Sequence, residues 1–157
     1  MRLRRDMPLL KTNGFLTFAL MPRALAFDVG KKRIGIAETD ELQLIASGLK
    51  TVAPNEVFAF VKEYTTREKV GVFVLGDPRN LDNTAAESMP LVDQFEASLK
   101  KRHPDISVMR VDERFTSVLA SRAMLEMGMK KSERKKKANV DEISAVLILQ
   151  SWLDQQV

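Results

Sequence analysis

Residues 70 to 75 read VGVFVL and present no polar face to water. A run this short, apolar on both sides and rich in β-branched residues, fits a central strand covered on both faces, the usual situation of a parallel strand. Gly76-Asp77-Pro78 stops it. Cover on both faces requires amphipathic elements on either side, and the chain supplies them. Val57, Phe58, Val61 and Tyr64 recur at helical spacing up to Thr66, and Leu91, Val92, Phe95 and Leu99 stripe a helix expected near Ser88 to His103. Pro90 suits the first turn of that helix, and Pro104 lies beyond its end. Thr116 is a plausible N-cap for a helix ending at Gly128, and Asn139 is expected to cap a last helix from Val140 to about Gln155. Ala145 to Leu149 is apolar around much of the circumference, so this last helix should be packed into the core.

The remaining strands read as Ala24 to Val29, Ile34 to Thr39, Leu44 to Leu49 and Ile106 to Val111. Short loops between the first three imply an antiparallel meander. The element order is then three meander strands, helix, strand, helix, strand and two helices. That order describes an α/β fold: a mixed five-stranded sheet, three strands antiparallel plus two parallel, with helices on both faces. Right-handed crossovers place the Val70 strand beside the first strand. The first strand then lies where the winding reverses, and ligands of open α/β sheets collect beyond the carboxyl ends of strands at such a point.

The 157 residues suit one domain, expected over residues 22–157. Residues 1–21 combine a basic start with an apolar patch, superficially like a targeting peptide. Lys11, Asn13 and Gly14 break that patch, so a poorly ordered extension is expected instead. No apolar run approaches the roughly 20 residues of a membrane-spanning helix, so a soluble protein without a membrane partner is expected. With no Cys and one His, His103, the chain has no disulfide framework, thiolate nucleophile or Cys-based zinc site. The composition fits a reducing cytoplasm, and oxygen ligands would have to hold any metal. A net charge of +4 permits a polyanionic partner without requiring one.

Three acidic positions lie at the ends of apolar elements. Asp28 is near the carboxyl end of the first strand, where an unpaired buried carboxylate costs several kcal/mol. It either caps the Gly30 turn or meets a cation. Asp112 and Glu113 close the fifth strand, and since alternate side chains point to opposite faces, only one can face Asp28's pocket; Glu113 is the choice, against a surface ion cluster with Arg114. Asp141 is expected in the first turn of the last helix, where the macrodipole alone favours an acid, with small neighbours Ser144 and Ala145 leaving room for a hydrated ion. Three converging carboxylates would repel one another unless a divalent cation sat among them. Mg2+, with Mn2+ as an alternative, suits such oxygens and phosphodiester hydrolysis. Lys31, Arg33 and Arg114 are placed to bind neighbouring phosphates. Lys130, Lys131, Arg134, Lys135, Lys136 and Lys137 form a basic run that would attract a nucleic-acid backbone without reading its sequence, the alternative being a solvated face. His103, at a helix end, reads as a cap or surface residue.

The segments AFDVGKKRIGIA (26–37), VDERFTS (111–117) and VDEISAVLILQ (140–150) together resemble the YqgF/RuvX family of pre-16S rRNA nucleases and Holliday-junction-resolvase-like proteins. The resemblance spans about Arg23 to Leu153. It implies an RNase H-like fold and acidic residues at Asp28, Glu113 and Asp141 that hold a metal and cleave nucleic acid, with maturation of the 5′ end of 16S rRNA in the cytoplasm as the expected task. The chain departs from the family pattern at Gly76-Asp77-Pro78 and Asp82-Asn83, where the family commonly has Gly-Leu-Pro and Asp-Gly. Asp77 adds a carboxylate beside that loop. Alternatives are a resolvase of branched DNA, which would need a dimer, and a non-catalytic RNA or transcription-complex binding module. A monomer or weak homodimer is expected. An ATP-binding role, suggested by the likeness of Asp28-Val29-Gly30 to the phosphate loop of sugar kinases and actin, is set aside because those proteins close a cleft between two such domains.

Overall fold

The apolar runs become strands and the striped segments become helices. A computed structural model of the chain describes residues 9–12, 15–18, 20–79, 86–112, 122, 124–134 and 137–156. Within the extension, β1 (Leu9–Thr12) and β2 (Phe15–Phe18) pair antiparallel as a separate two-stranded ladder. The main elements are β3 (Arg23–Val29), β4 (Ile34–Thr39), β5 (Ala46–Val52), α1 (Val57–Arg67), β6 (Val70–Asp77), α2 (Met89–Arg102), β7 (Ser107–Asp112), the short α3 (Lys131–Arg134) and α4 (Lys137–Gln155). The five-stranded sheet runs β5-β4-β3-β6-β7. β3 pairs antiparallel with β4 and parallel with β6, so it is the strand at which the winding reverses.

Strand alternation sorts the core into two unequal layers. Leu25, Phe27, Phe73 and Leu75 face Val57 and Val61 of α1 and Val92, Phe95 and Leu99 of α2. Phe27 meets Phe73 and Phe95 edge-on, at centroid separations of 5.8 and 5.3 Å. The other face is paved with Ala24, Ala26, Ala37, Val72 and Val74 and covered by Ala145, Ile148, Leu149 and Trp152 of α4. Small residues under α4 let its backbone come close to the sheet. That asymmetry builds the site.

The far end of the sheet is tied by polar contacts. Arg23 donates through Nε to Glu68 (3.0 Å) and through Nη1 to the Thr39 carbonyl (2.8 Å), and the Tyr64 hydroxyl donates to Glu38. His103 is the C-cap of α2, its ring edge-on to Phe73. At Gly128 φ is +69°; its N–H reaches the Leu125 carbonyl and that of Met129 the Met124 carbonyl, the two bonds of a Schellman ending. The expected N-cap Thr116 lies outside the described residues.

Two boundaries differ from expectation. The third strand begins at Ala46 rather than Leu44, because Asp40 Oδ1 accepts hydrogen bonds from the backbone N–H groups of Leu44 (2.7 Å) and Ile45 (2.8 Å). Those two residues are consumed by the turn and left exposed, and the strand runs on to Val52. The last helix begins at Lys137, so Asn139 lies inside it rather than capping it, and Asp141 is in its second turn. Lysine and alanine are good helix formers, and Lys137 and Ala138 open the helix ahead of Asn139. Asp141 is not a first-turn acid, so the macrodipole argument for a purely local role loses most of its force.

Candidate active site

The carboxyl end of β3 points Asp28 to the α4 face, continuing the alternation of Ala24 and Ala26. Its partner across the β3–β4 ladder is Gly35. A Cβ at Gly35 would overlap the backbone carbonyl of Asp141, so the helix passes over this point of the sheet with nothing between. The missing side chain beside Asp28 is thus what brings Asp141 of α4 next to it. Gly48 of β5 does the same for the next residue, since a Cβ there would run into the Glu142 side chain. Neither glycine was singled out from the sequence. The signal was available, because a glycine inside a strand often marks close approach of another backbone.

Asp28 is half-buried, and burial, with the charge of Asp141 as the second cause, pushes its carboxyl up to about 7. Arg33 Nε donates to Asp141 Oδ2 at 2.6 Å. Two acids from distant segments therefore share one site, with a guanidinium on one of them. Lys31 and Lys32, in the turn after Asp28, are exposed.

The third expected carboxylate, Glu113, lies outside the described residues, as does Arg114. Val111 packs on the α4 face, while Asp112 next to it is exposed at the end of β7. Lys130 and Lys131 are exposed; Arg134 and Lys137 belong to α3 and α4, and Lys135 and Lys136 lie outside the described residues. Among the described residues no three His, Cys, Asp or Glu side chains converge to hold a metal ion. The donors that do meet, Asp28 and Asp141, are hard oxygens under mutual repulsion, which fits a divalent cation such as Mg2+.

Asp77, the departure from the family pattern, is on the opposite face. Arg110 donates to Asp77 (3.3 Å), Asp93 (2.6 Å) and Glu96 (2.6 Å), and Arg79 also bonds Asp77 (2.8 Å). Burial opposes it, but hydrogen bonds from Lys100 and Arg110 hold the Glu96 carboxyl below the usual range. Asp77 is thus matched by Arg110 rather than added to the Asp28 site. Arg110→Ala should lower stability by about 1.5–3 kcal/mol in urea unfolding, because three carboxylates lose their shared donor. Adding Asp77→Ala should cost less than the sum of the two single changes.

Comparison with known proteins points the same way. Residues 22–155 match the RuvX family, described as Holliday junction resolvase. The chain belongs to the RuvX family. A Bacteroides thetaiotaomicron protein is 51% identical over 136 residues, covering 87% of this chain and 99% of its own. One from Flavobacterium psychrophilum is 45% identical over 137 residues, 87% of this chain and 100% of its own. Both carry the name "Putative pre-16S rRNA nuclease". Membership also accounts for the sheet, whose mixed five-stranded order with helices on both faces is the RNase H-like arrangement of RuvX proteins. No helix among the described residues is long and apolar enough to cross a membrane.

Proposed function

We propose that this chain is a divalent-metal-dependent endonuclease that hydrolyses phosphodiester bonds, processing the 5′ end of precursor 16S rRNA in the cytoplasm. The observation that carries this reading is the meeting of Asp28 and Asp141 at the carboxyl end of the switch strand, in a setting that pushes Asp28 up to about 7. The names borne by its relatives support the substrate.

Asp28, Asp141 and Glu113 would hold the metal. The case for Glu113 rests on its standing two residues after Val111, which packs on the α4 face. Bound there, Mg2+ or Mn2+ would make water more acidic and offset the charge that builds on the phosphate during in-line displacement. The chain's own contribution is placement. Asp28 is held by the β3–β4 ladder and Asp141 by the close seat of α4, so neither acid depends on a flexible loop. Lys31 and Arg33, with Arg114, would bind phosphates flanking the cut. Lys130, Lys131, Arg134, Lys135, Lys136 and Lys137 would hold the backbone further away by counterion release. No step needs His or Cys.

The test is direct. A 5′ precursor fragment of 16S rRNA and a four-way DNA junction are each incubated with the protein in Mg2+, in Mn2+ and in excess chelator. The expected result is RNA cleavage with either metal and none in chelator. Cleavage untouched by chelation, or binding without cleavage of either substrate, would overturn the reading. The family's description favours a second one, junction resolution. Selective, paired cutting of the junction would establish it in place of the first.

A further inference from the structure

Arg33 is the residue whose position the reaction alone leaves unexplained. It closes the turn between β3 and β4, where the Gly30 N–H donates to its carbonyl at 3.0 Å. A Cβ on Gly30 would overlap that same carbonyl, so the turn is tight and holds the Arg33 backbone at the mouth of the site. Its side chain does not extend to solvent like those of Lys31 and Lys32. It folds back onto Asp141, Nε to Oδ2 at 2.6 Å, and remains about one-third exposed (34%) against 21% for Asp141.

A carboxylate oxygen that accepts from a guanidinium at this distance has committed its charge and a lone pair to it. A divalent cation seeking the same oxygen meets a permanent positive charge already there, because arginine does not lose its proton. The two cations compete. A guanidinium displaced from Asp141 stands in the same turn as the exposed Lys31 and Lys32, on the side from which a nucleic-acid backbone would approach. A phosphodiester accepts it bidentately, as arginine prefers.

We propose that Arg33 is a positioning residue that couples metal uptake to nucleic-acid binding: in the free protein it occupies Asp141 as a resident counter-cation, and it releases that carboxylate when a backbone phosphate takes the guanidinium. This rests on the reading of Asp141 as a metal ligand. By linkage the coupling is reciprocal, so RNA tightens metal binding by the same factor as metal tightens RNA binding. The arrangement weakens metal binding by the free protein relative to the substrate complex.

The experiment is a calorimetric titration of Mn2+ into the full chain, with and without a short 2′-O-methyl RNA, for the unaltered protein, R33Q and R33K. In the unaltered protein RNA should tighten Mn2+ binding about ten-fold, within the usual range of coupling. Without RNA, R33Q should bind Mn2+ about ten-fold more tightly than the unaltered chain, and RNA should add little. R33K, which retains a cation, should stay near the unaltered protein. A merely structural role would weaken metal binding on substitution, the opposite sign. Equal or weaker Mn2+ binding by a folded R33Q, or no effect of RNA on the unaltered protein, overturns the inference while leaving the nuclease reading intact. The second comparison needs no variant, so it decides even where R33Q fails to fold. Absence of Mn2+ binding by every form removes both.

Discussion

Asp28→Asn is expected to abolish cleavage and, above neutral pH, to make the metal-free protein more stable than the unaltered chain. Both effects follow from one cause. The carboxyl has an ordinary value of 3.8 and is pushed up to about 7 in the folded protein, first by burial and then by the charge of Asp141. Between those two values the folded state keeps the Asp28 proton while the unfolded state has given it up. Stability therefore falls as pH rises through that window, and the full cost is present above about 7. At 1.36 kcal/mol per unit the ceiling is about 4 kcal/mol, and residual solvation brings the expected loss to about 2–4 kcal/mol. Asparagine has no such charge to lose. Urea unfolding in chelator at pH 5 and pH 8 should show a drop for the unaltered protein and a much flatter profile for Asp28→Asn. Mn2+ at pH 8 should restore the unaltered protein and leave the variant unchanged. Parallel pH profiles for the two proteins would contradict the assignment of Asp28 as the strained acid. An active folded variant would remove it from the chemistry.

Gly35→Ala should damage fold and site together. The added methyl would meet the backbone carbonyl of Asp141, and no rotamer change can relieve a clash with a helix backbone. α4 must lift from the sheet at Asp141, at a cost of about 1–3 kcal/mol for overpacking. Displacement of Asp141 relative to Asp28 by even about 1 Å should reduce cleavage about a hundred-fold. Gly71→Ala is the control, because its Cβ would press on Pro22 at 2.9 Å, at the other end of the sheet. It should lower the unfolding midpoint while leaving cleavage per folded molecule near that of the unaltered protein. Equal loss of cleavage in the two variants, once corrected for the folded fraction, would show that the Gly35 seat does not position Asp141.

Much of this was legible in the chain itself, for reasons that differ from residue to residue. Val70 to Leu75 reads as a strand covered on both faces, and the observed β6 spans Val70–Asp77 at the centre of the parallel part of the sheet. The paired faces of β3 followed from alternation, which puts Phe27 in one layer and Ala26 in the other. Asp28 stood out because an acid closing an apolar strand is costly unless something meets it. The start of β5 was misplaced because Asp40 captures two backbone N–H groups, a contact that hydrophobic pattern does not record. The start of α4 differs because Asn139 reads as a cap although Lys137 and Ala138 before it are already helical.

Periodicity and turn chemistry are local, so the sequence by itself determined the five strands of the main sheet, the long helices that cover it, their order, and thereby the reversal of winding at β3. Distances between segments far apart in the chain are not local. That Asp141 comes to rest beside Asp28, that Arg33 is the cation on it, and that Asp77 is absorbed by Arg110 on the opposite face were decided only when α4 settled onto a surface of alanines and Gly35. Small side chains set how closely a helix backbone can approach a sheet, and that approach decides which charges meet.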